Sequence, residues 1–466
     1  MAPWAIDACD SSPYRLNPAE RSSTLGRTGS PVLPFDAMNG TPAARAGGAA
    51  PPARNGGRGI SPRLRTLGFF AAFGPGLVVM LADTDAGSLI TAAKSGATWG
   101  YAMVLPQILL IPVLYAVQEI TVRLAVATGE GHGALIRRHF GQGVALLSSL
   151  TLFLSATGAL LSEFAAVAGV GEIFGISRWV TVPIATTFLV GIAMTGSYKR
   201  AERIGIALGL AELAFIPAMI MAHPSLASLA HGLASAPVTN HSYLMLLTAN
   251  IGAVIMPWMI FYQQGAVVDR GLAEEDLARE RRDTAIGAVL TQVVSIATVV
   301  LFAATVARHG SGEELETVGA MSAALQPFVG TVAAKALLGL AMLGAALVAA
   351  LVASLAAAWG LSEVFGWSHS LNERPDRATY KFYAVYWLAH ILGAAVVLSG
   401  VGLVETVVDV EVMNALLLPI VLGLLLAIEA RALPERLRMR GFYRAVVLGG
   451  SLLVMAFGLL VLPTLR

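Results

Sequence analysis

Apolar residues run in long blocks along most of the chain, interrupted by short charged loops. A bilayer hydrocarbon core of about 30 Å asks for about 20 apolar residues per helix, so the pattern predicts membrane-crossing helices. Eleven spans fit, near residues 67–99, 101–126, 144–174, 179–196, 204–222, 243–268, 284–307, 331–362, 380–399, 411–429 and 443–463. Two are interrupted. The centre of the first holds Ala82-Asp83-Thr84-Asp85-Ala86-Gly87-Ser88, a polar and helix-weak run where lipid is least forgiving. The sixth carries Pro257 well inside its apolar segment. Proline removes one backbone donor and frees the carbonyl about four residues earlier, here that of Ala253.

Broken helices in the first position of each of two five-span sets predict an inverted repeat, with substrate held between the unwound midpoints. The fold expected is therefore an all-α polytopic membrane protein of leucine-transporter type. Its first repeat covers about residues 67–222 and its second about 243–429, followed by an additional helix at 443–463.

Composition agrees with this class. Hydrophobic residues make up 56% and charged residues 13% of the 466, against about 25% charged in an ordinary soluble domain, and mean hydropathy is +0.71. The net charge of +2 gives no reason to expect nucleic acid as a partner. A single cysteine, Cys9, excludes an intramolecular disulfide and a cysteine metal cluster. No two histidines stand four apart on a helix, and no phosphate-binding loop is present, so neither a zinc-protease motif nor ATP-driven pumping is suggested. No nucleophile and base pair stands out either, so the expectation is not an enzyme, and no cofactor.

Residues 1–62 contain nine Pro and eight Gly and no apolar run, which predicts a disordered tail. Met1 to Asp10 lacks the layout of a secretory signal, and a mis-assigned start codon fits equally well. Loops after the even-numbered spans hold 17 Lys and Arg, whereas the alternate loops hold only Arg178 and Arg308. This bias predicts a cytoplasmic N-terminus and an extracytoplasmic C-terminus in the cytoplasmic membrane.

Ionisable side chains within spans are costly and mark function. Asp83, Asp85, Glu119, Glu163, Glu172 and Glu212 are all acids, and the few basic residues near the spans cannot neutralise them. A cation is the natural missing partner. Blander readings stand beside this one: Asp85 as a helix cap, Met256 as core filler, Ser88 bonding backbone, Glu119 and Glu163 as neutral structural carboxyls. Glu172 reads as interfacial, Trp258 as packing, and the charged run from Glu274 to Arg282 as a solvated loop.

Several of these residues together resemble the NRAMP divalent-metal transporters. Gly74-Pro75-Gly76, Asp85-Ala86-Gly87-Ser88 and Tyr101 resemble that family's first span, where the motif reads Asp-Pro-Gly-Asn. Gln118, Arg123-Leu124 and Thr128-Gly129 resemble its second span, and Ala253-Val254-Ile255-Met256-Pro257 resembles the Ala-x-x-Met-Pro of its sixth. The resemblance implies metal ligands at the Asp85 carboxylate, the Ala253 carbonyl and the Met256 thioether, with Ser88 in place of an Asn ligand. It implies a divalent cation as substrate. Asp83, Glu119 and Glu163 would then enlarge an acidic cavity. Two family histidines are replaced by Trp258 and Gln263, so weak or absent proton coupling is expected. Such losses look like the NRAMP-related branch that moves magnesium and manganese. The alternatives are proton-coupled manganese and iron transport of the ordinary kind, or an organic-substrate symporter of the same fold.

Overall fold

The computed structural model describes residues 74–307, 315, 317–400 and 403–460. The expected tail at 1–62 lies outside the described residues. Regular structure among the described residues is helical throughout. Among the described residues, nine continuous stretches are long and apolar enough to cross a membrane, and the first of them, Ala86–Thr128, is 43 residues long. At about 1.5 Å per residue it would be about twice a bilayer's thickness, so it holds two spans. The chain turns between them at Gly100, whose φ of +58° suits glycine.

Span 1 is thus Pro75–Asp83 followed by Ala86–Trp99, and span 2 is Val104–Thr128. Gln142–Ile173, Arg178–Ala193 and Tyr198–Met221 form spans 3, 4 and 5. His241–Val254 and Pro257–Asp269 make span 6, Leu277–Thr305 span 7 and Thr331–Phe365 span 8. Tyr380–Leu398, Leu403–Ala432 and Gly441–Leu460 are spans 9, 10 and 11. Span 4 has 16 residues, fewer than a perpendicular crossing needs. Three connecting helices, His132–Phe140, Leu226–Ala234 and Val318–Val329, were not expected.

Both interruptions are real breaks, each with a local cause. In span 1, Asp85 takes an extended conformation and caps the second half-helix, its Oδ1 accepting from the Ser88 N–H at 2.6 Å. In span 6, Ile255 and Met256 leave helical geometry and Pro257 opens the second half-helix, where its missing N–H costs nothing. Small residues let these segments approach their neighbours closely, as is usual between helices in lipid. A side chain at Gly252 of span 6 would overlap the Glu411 carbonyl of span 10.

The charged run at 274–282 is not the solvated loop expected. Helix 7 begins at Leu277, and Glu280 is buried. Asp283 follows one turn later, accepting from the Gly74 and Leu77 N–H groups at 3.0 Å each. Span 7 therefore supplies the N-terminal cap that span 1 cannot make for itself, since Gly74 has no capping side chain.

Candidate metal centre

The two breaks meet through Ser88. Its hydroxyl oxygen lies 2.8 Å from the Asp83 carbonyl and 2.8 Å from the Ala253 carbonyl, the oxygen that Pro257 frees. One hydroxyl proton serves two carbonyls, so at any moment one of them is open to another positive partner. The Met256 sulfur is next along. Trp258, one of the largest fully buried side chains, donates its indole N–H to that sulfur at 3.2 Å. Trp258 was expected only to pack; it also occupies one sulfur lone pair and leaves the other. Gln263, at the second replaced histidine, donates to the Thr284 hydroxyl at 2.9 Å.

Around this junction the fold gathers carboxylates. Asp85 is 0% exposed, and its Oδ2 has no hydrogen-bond partner. Its carboxyl contacts that of Glu163 on span 3. Glu163 accepts from the Ala86 N–H at 3.2 Å through Oε2 and leaves Oε1 bare. Glu411 of span 10 lies against Gly87, so closely that any side chain at Gly87 would overlap its carboxylate. Its Oε2 accepts from Asn414 at 3.0 Å, Asn414 in turn accepts from Ser155 at 2.7 Å, and its Oε1 is bare. Glu212 of span 5 and Asp83 complete the set, with two bare oxygens and one.

Five buried acids thus converge on the break in span 1, and none takes part in an ion pair found among the described residues. Carboxylates so placed repel one another, and moving each from water into the interior costs several kcal/mol unless positive charge accompanies it. Among the described residues, no three His, Cys, Asp or Glu side chains are grouped to hold a metal by themselves. An ion here would take its remaining contacts from backbone oxygen, the thioether, hydroxyls or retained water, the mixed coordination that hard divalent ions accept.

Glu119 departs from the expectation. It is not gathered with the other acids but is held by Arg123 at 2.7 Å, Arg281 at 2.7 Å and the Tyr443 hydroxyl at 3.0 Å. Glu172 pairs with Arg178 near the surface, as an interfacial residue should. Hydropathy alone starts span 10 at Glu411 and so puts that acid at a helix end. The helix starts at Leu403, which draws Glu411 into the bundle. Asn414, one turn beyond Glu411, was the readable signal, since a buried acid and amide on one helical face need each other.

The Nramp family, described as natural resistance-associated macrophage protein-like, matches residues 76–464. A divalent metal cation transporter MntH of Brucella suis biovar 1 (strain 1330) is 28% identical over 307 residues, 63% of this chain and 66% of that protein. The MntH of Yersinia pestis (strain Pestoides F) is 28% identical over 291 residues, 61% of this chain and 70% of its own. Among solved structures, the Eremococcus coleocola manganese transporter in complex with an aromatic bis-isothiourea substituted compound superposes with a TM-score of 0.68 at 15% identity, covering 86% of this chain and 87% of that one. Mhp1, a nucleobase-cation-symport-1 family transporter, superposes with a TM-score of 0.53 at 14% identity, covering 84% and 89%. At such identities the likeness is one of fold: a leucine-transporter-type bundle with broken helices 1 and 6.

Proposed function

The chain belongs to the Nramp family, and from that we propose that it carries divalent metal cations across the cytoplasmic membrane by alternating access. The observation that carries this reading is the group of bare, buried carboxylates at the break of span 1, left without a basic partner. Asp85 supplies the central charge. The Ala253 carbonyl, Ser88 and the free lone pair of Met256 supply further donors, and Glu163 and Glu411 supply charge close by. Asp83 stands one residue from the break and contributes field.

We assign manganese as the favoured ion, with magnesium tolerated. A thioether adds to the binding of a transition ion and little to that of magnesium, whereas surplus carboxylate and a short Ser88 suit a cation that keeps part of its water. Proton coupling is weak in this reading, because Trp258 and Gln263 cannot titrate. The N-terminus faces the cytoplasm and the C-terminus the outside, in keeping with the loop charges.

Manganese uptake by the full chain in liposomes, with and without Asp85→Ala, tests the assignment. Uptake should fall to the level of empty liposomes while the variant still elutes as folded protein; uptake at the unaltered rate would refute it. Competition supplies the ion test. Millimolar magnesium should slow manganese entry, and a rate unmoved by magnesium would exclude a shared site.

A further inference from the structure

Glu212 is the acid that the divalent site leaves unused. It lies on span 5 where the helix tightens into a 3-10 stretch, Leu210–Ala214, and is 1% exposed. Neither of its carboxylate oxygens has a hydrogen-bond partner. Opposite stands Thr84, the residue at which the first half of span 1 ends.

The supply of protons at this spot is short. Thr291 of span 7 gives its hydroxyl proton to the Met80 carbonyl at 2.6 Å. The Thr84 and Thr291 hydroxyls are also in contact. The Thr84 hydroxyl faces the Glu212 carboxylate and has one proton to divide between it and Thr291. Asp83, adjacent in sequence, adds a bare Oδ1. The last carbonyls of the half-helix Pro75–Asp83 also end here, at the negative pole of its dipole. Two carboxyls, the helix-end carbonyls and a single Thr84 proton leave an excess of oxygen acceptors, which a bound cation or a proton on a carboxyl would offset.

We propose that Glu212, Thr84 and Asp83 form a second cation site, separate from the divalent one, that takes sodium. The donors are all hard oxygens, with no thioether or imidazole to favour a transition metal. Ends of half-helices beside unwound backbone are where transporters of this architecture hold coupling ions. Asp85 accepts from the Ser88 N–H and touches Glu163, and its charge also acts on Glu212, so the two sites are neighbours at one break. Sodium would tie span 5 to span 1 in the state that also holds the metal. Binding of each then favours the other, and a sodium gradient can drive metal entry. The proposal rests on the reading of the chain as a divalent-metal transporter.

Two measurements test it, using the full chain purified in detergent and reconstituted in liposomes. Manganese uptake under an inward sodium chloride gradient should exceed uptake in choline chloride by at least about fivefold, the lower range of coupling between two sites. Glu212→Gln should bring both conditions to the same low rate, and Thr84→Val should weaken the dependence. Equal rates in sodium and choline for the unaltered protein, a sodium effect that survives Glu212→Gln, or dependence on a pH gradient alone would overturn the proposal. The second measurement needs no metal transport. Sodium chloride, compared with choline chloride, should raise the melting temperature of metal-free protein, and both Glu212→Gln and Thr84→Val should abolish that rise. A sodium-dependent rise in a protein that moves no manganese would refute the proposed function and leave the sodium site standing; no rise would refute the site.

Discussion

Glu119 and Asp85 are both carboxylates buried in the helical bundle, 2% and 0% exposed, yet their surroundings are opposite. Glu119 is gripped by two guanidinium groups and a phenol, from spans 2, 7 and 11. One of those partners, Arg123, is further held by the Leu437 carbonyl at 2.7 Å and lies 3.7 Å from Glu429 of span 10. Asp85 meets only Gly87 and Ser88 at the start of its own half-helix and another carboxyl, with no basic group. The difference follows depth along the helices. Near the span ends, arginines in the terminal turns of the helices reach inward and each acid can be neutralised by protein. At the broken midpoints the described residues supply neutral donors and acceptors but no basic side chain, and the missing charge must arrive from outside. A paired acid therefore holds the fold together, whereas a bare acid is available to a cargo.

This contrast can be broken at either end. The largest stability effect should come from Glu119→Ala, which leaves the buried Arg123 without its nearest partner; losing one member of a buried ion pair costs about 3–5 kcal/mol. Thermal melting in detergent should fall sharply. Glu411→Gln keeps the shape and removes a charge that has no partner, so metal-free protein should melt no lower than the unaltered chain. The reverse order would show that the midplane carboxylates serve the fold and the Glu119 node does not.

Gly252→Ala comes next. Its added methyl meets the Glu411 backbone and must push span 10 away from span 6, an overpacking that costs about 1–3 kcal/mol. Because Glu411 moves with span 10, manganese affinity should fall along with the melting temperature, and unchanged affinity would remove Glu411 from the site. Met256→Ala should have the smallest effect, lowering manganese transport by about tenfold, worth about 1.4 kcal/mol, with magnesium transport less affected. Equal losses for the two ions would mean that the sulfur is spent on Trp258 and never meets the metal.

Much of this was legible in the residues. The apolar blocks marked ten of the eleven spans plus the broken first one, because a hydrocarbon core enforces length and hydropathy together. Asp-Ala-Gly-Ser and Met-Pro marked the breaks, because proline and capping acids act locally. What stayed hidden depends on contacts between segments far apart in sequence. Nothing local says that Arg281 reaches Glu119 across 162 positions, or that Glu411 settles against Gly87. The burial of Glu280 was hidden by its charged neighbours, since a helix that begins inside a polar run shows no hydropathy edge. The Trp258 to Met256 bond was within reach of local reasoning, two residues apart, but an indole N–H is seldom assigned to sulfur.

The central claim is that a divalent cation sits where the fold leaves carboxylates bare. Manganese scatters anomalously, so crystals of the full chain grown with manganese chloride locate it directly. One anomalous peak is expected at the break of span 1, with an Asp85 oxygen at about 2–2.5 Å, the range of hard divalent ions, and the peak should vanish in crystals of Asp85→Ala. A peak confined to the surface, or a buried peak that persists without Asp85, would contradict the account.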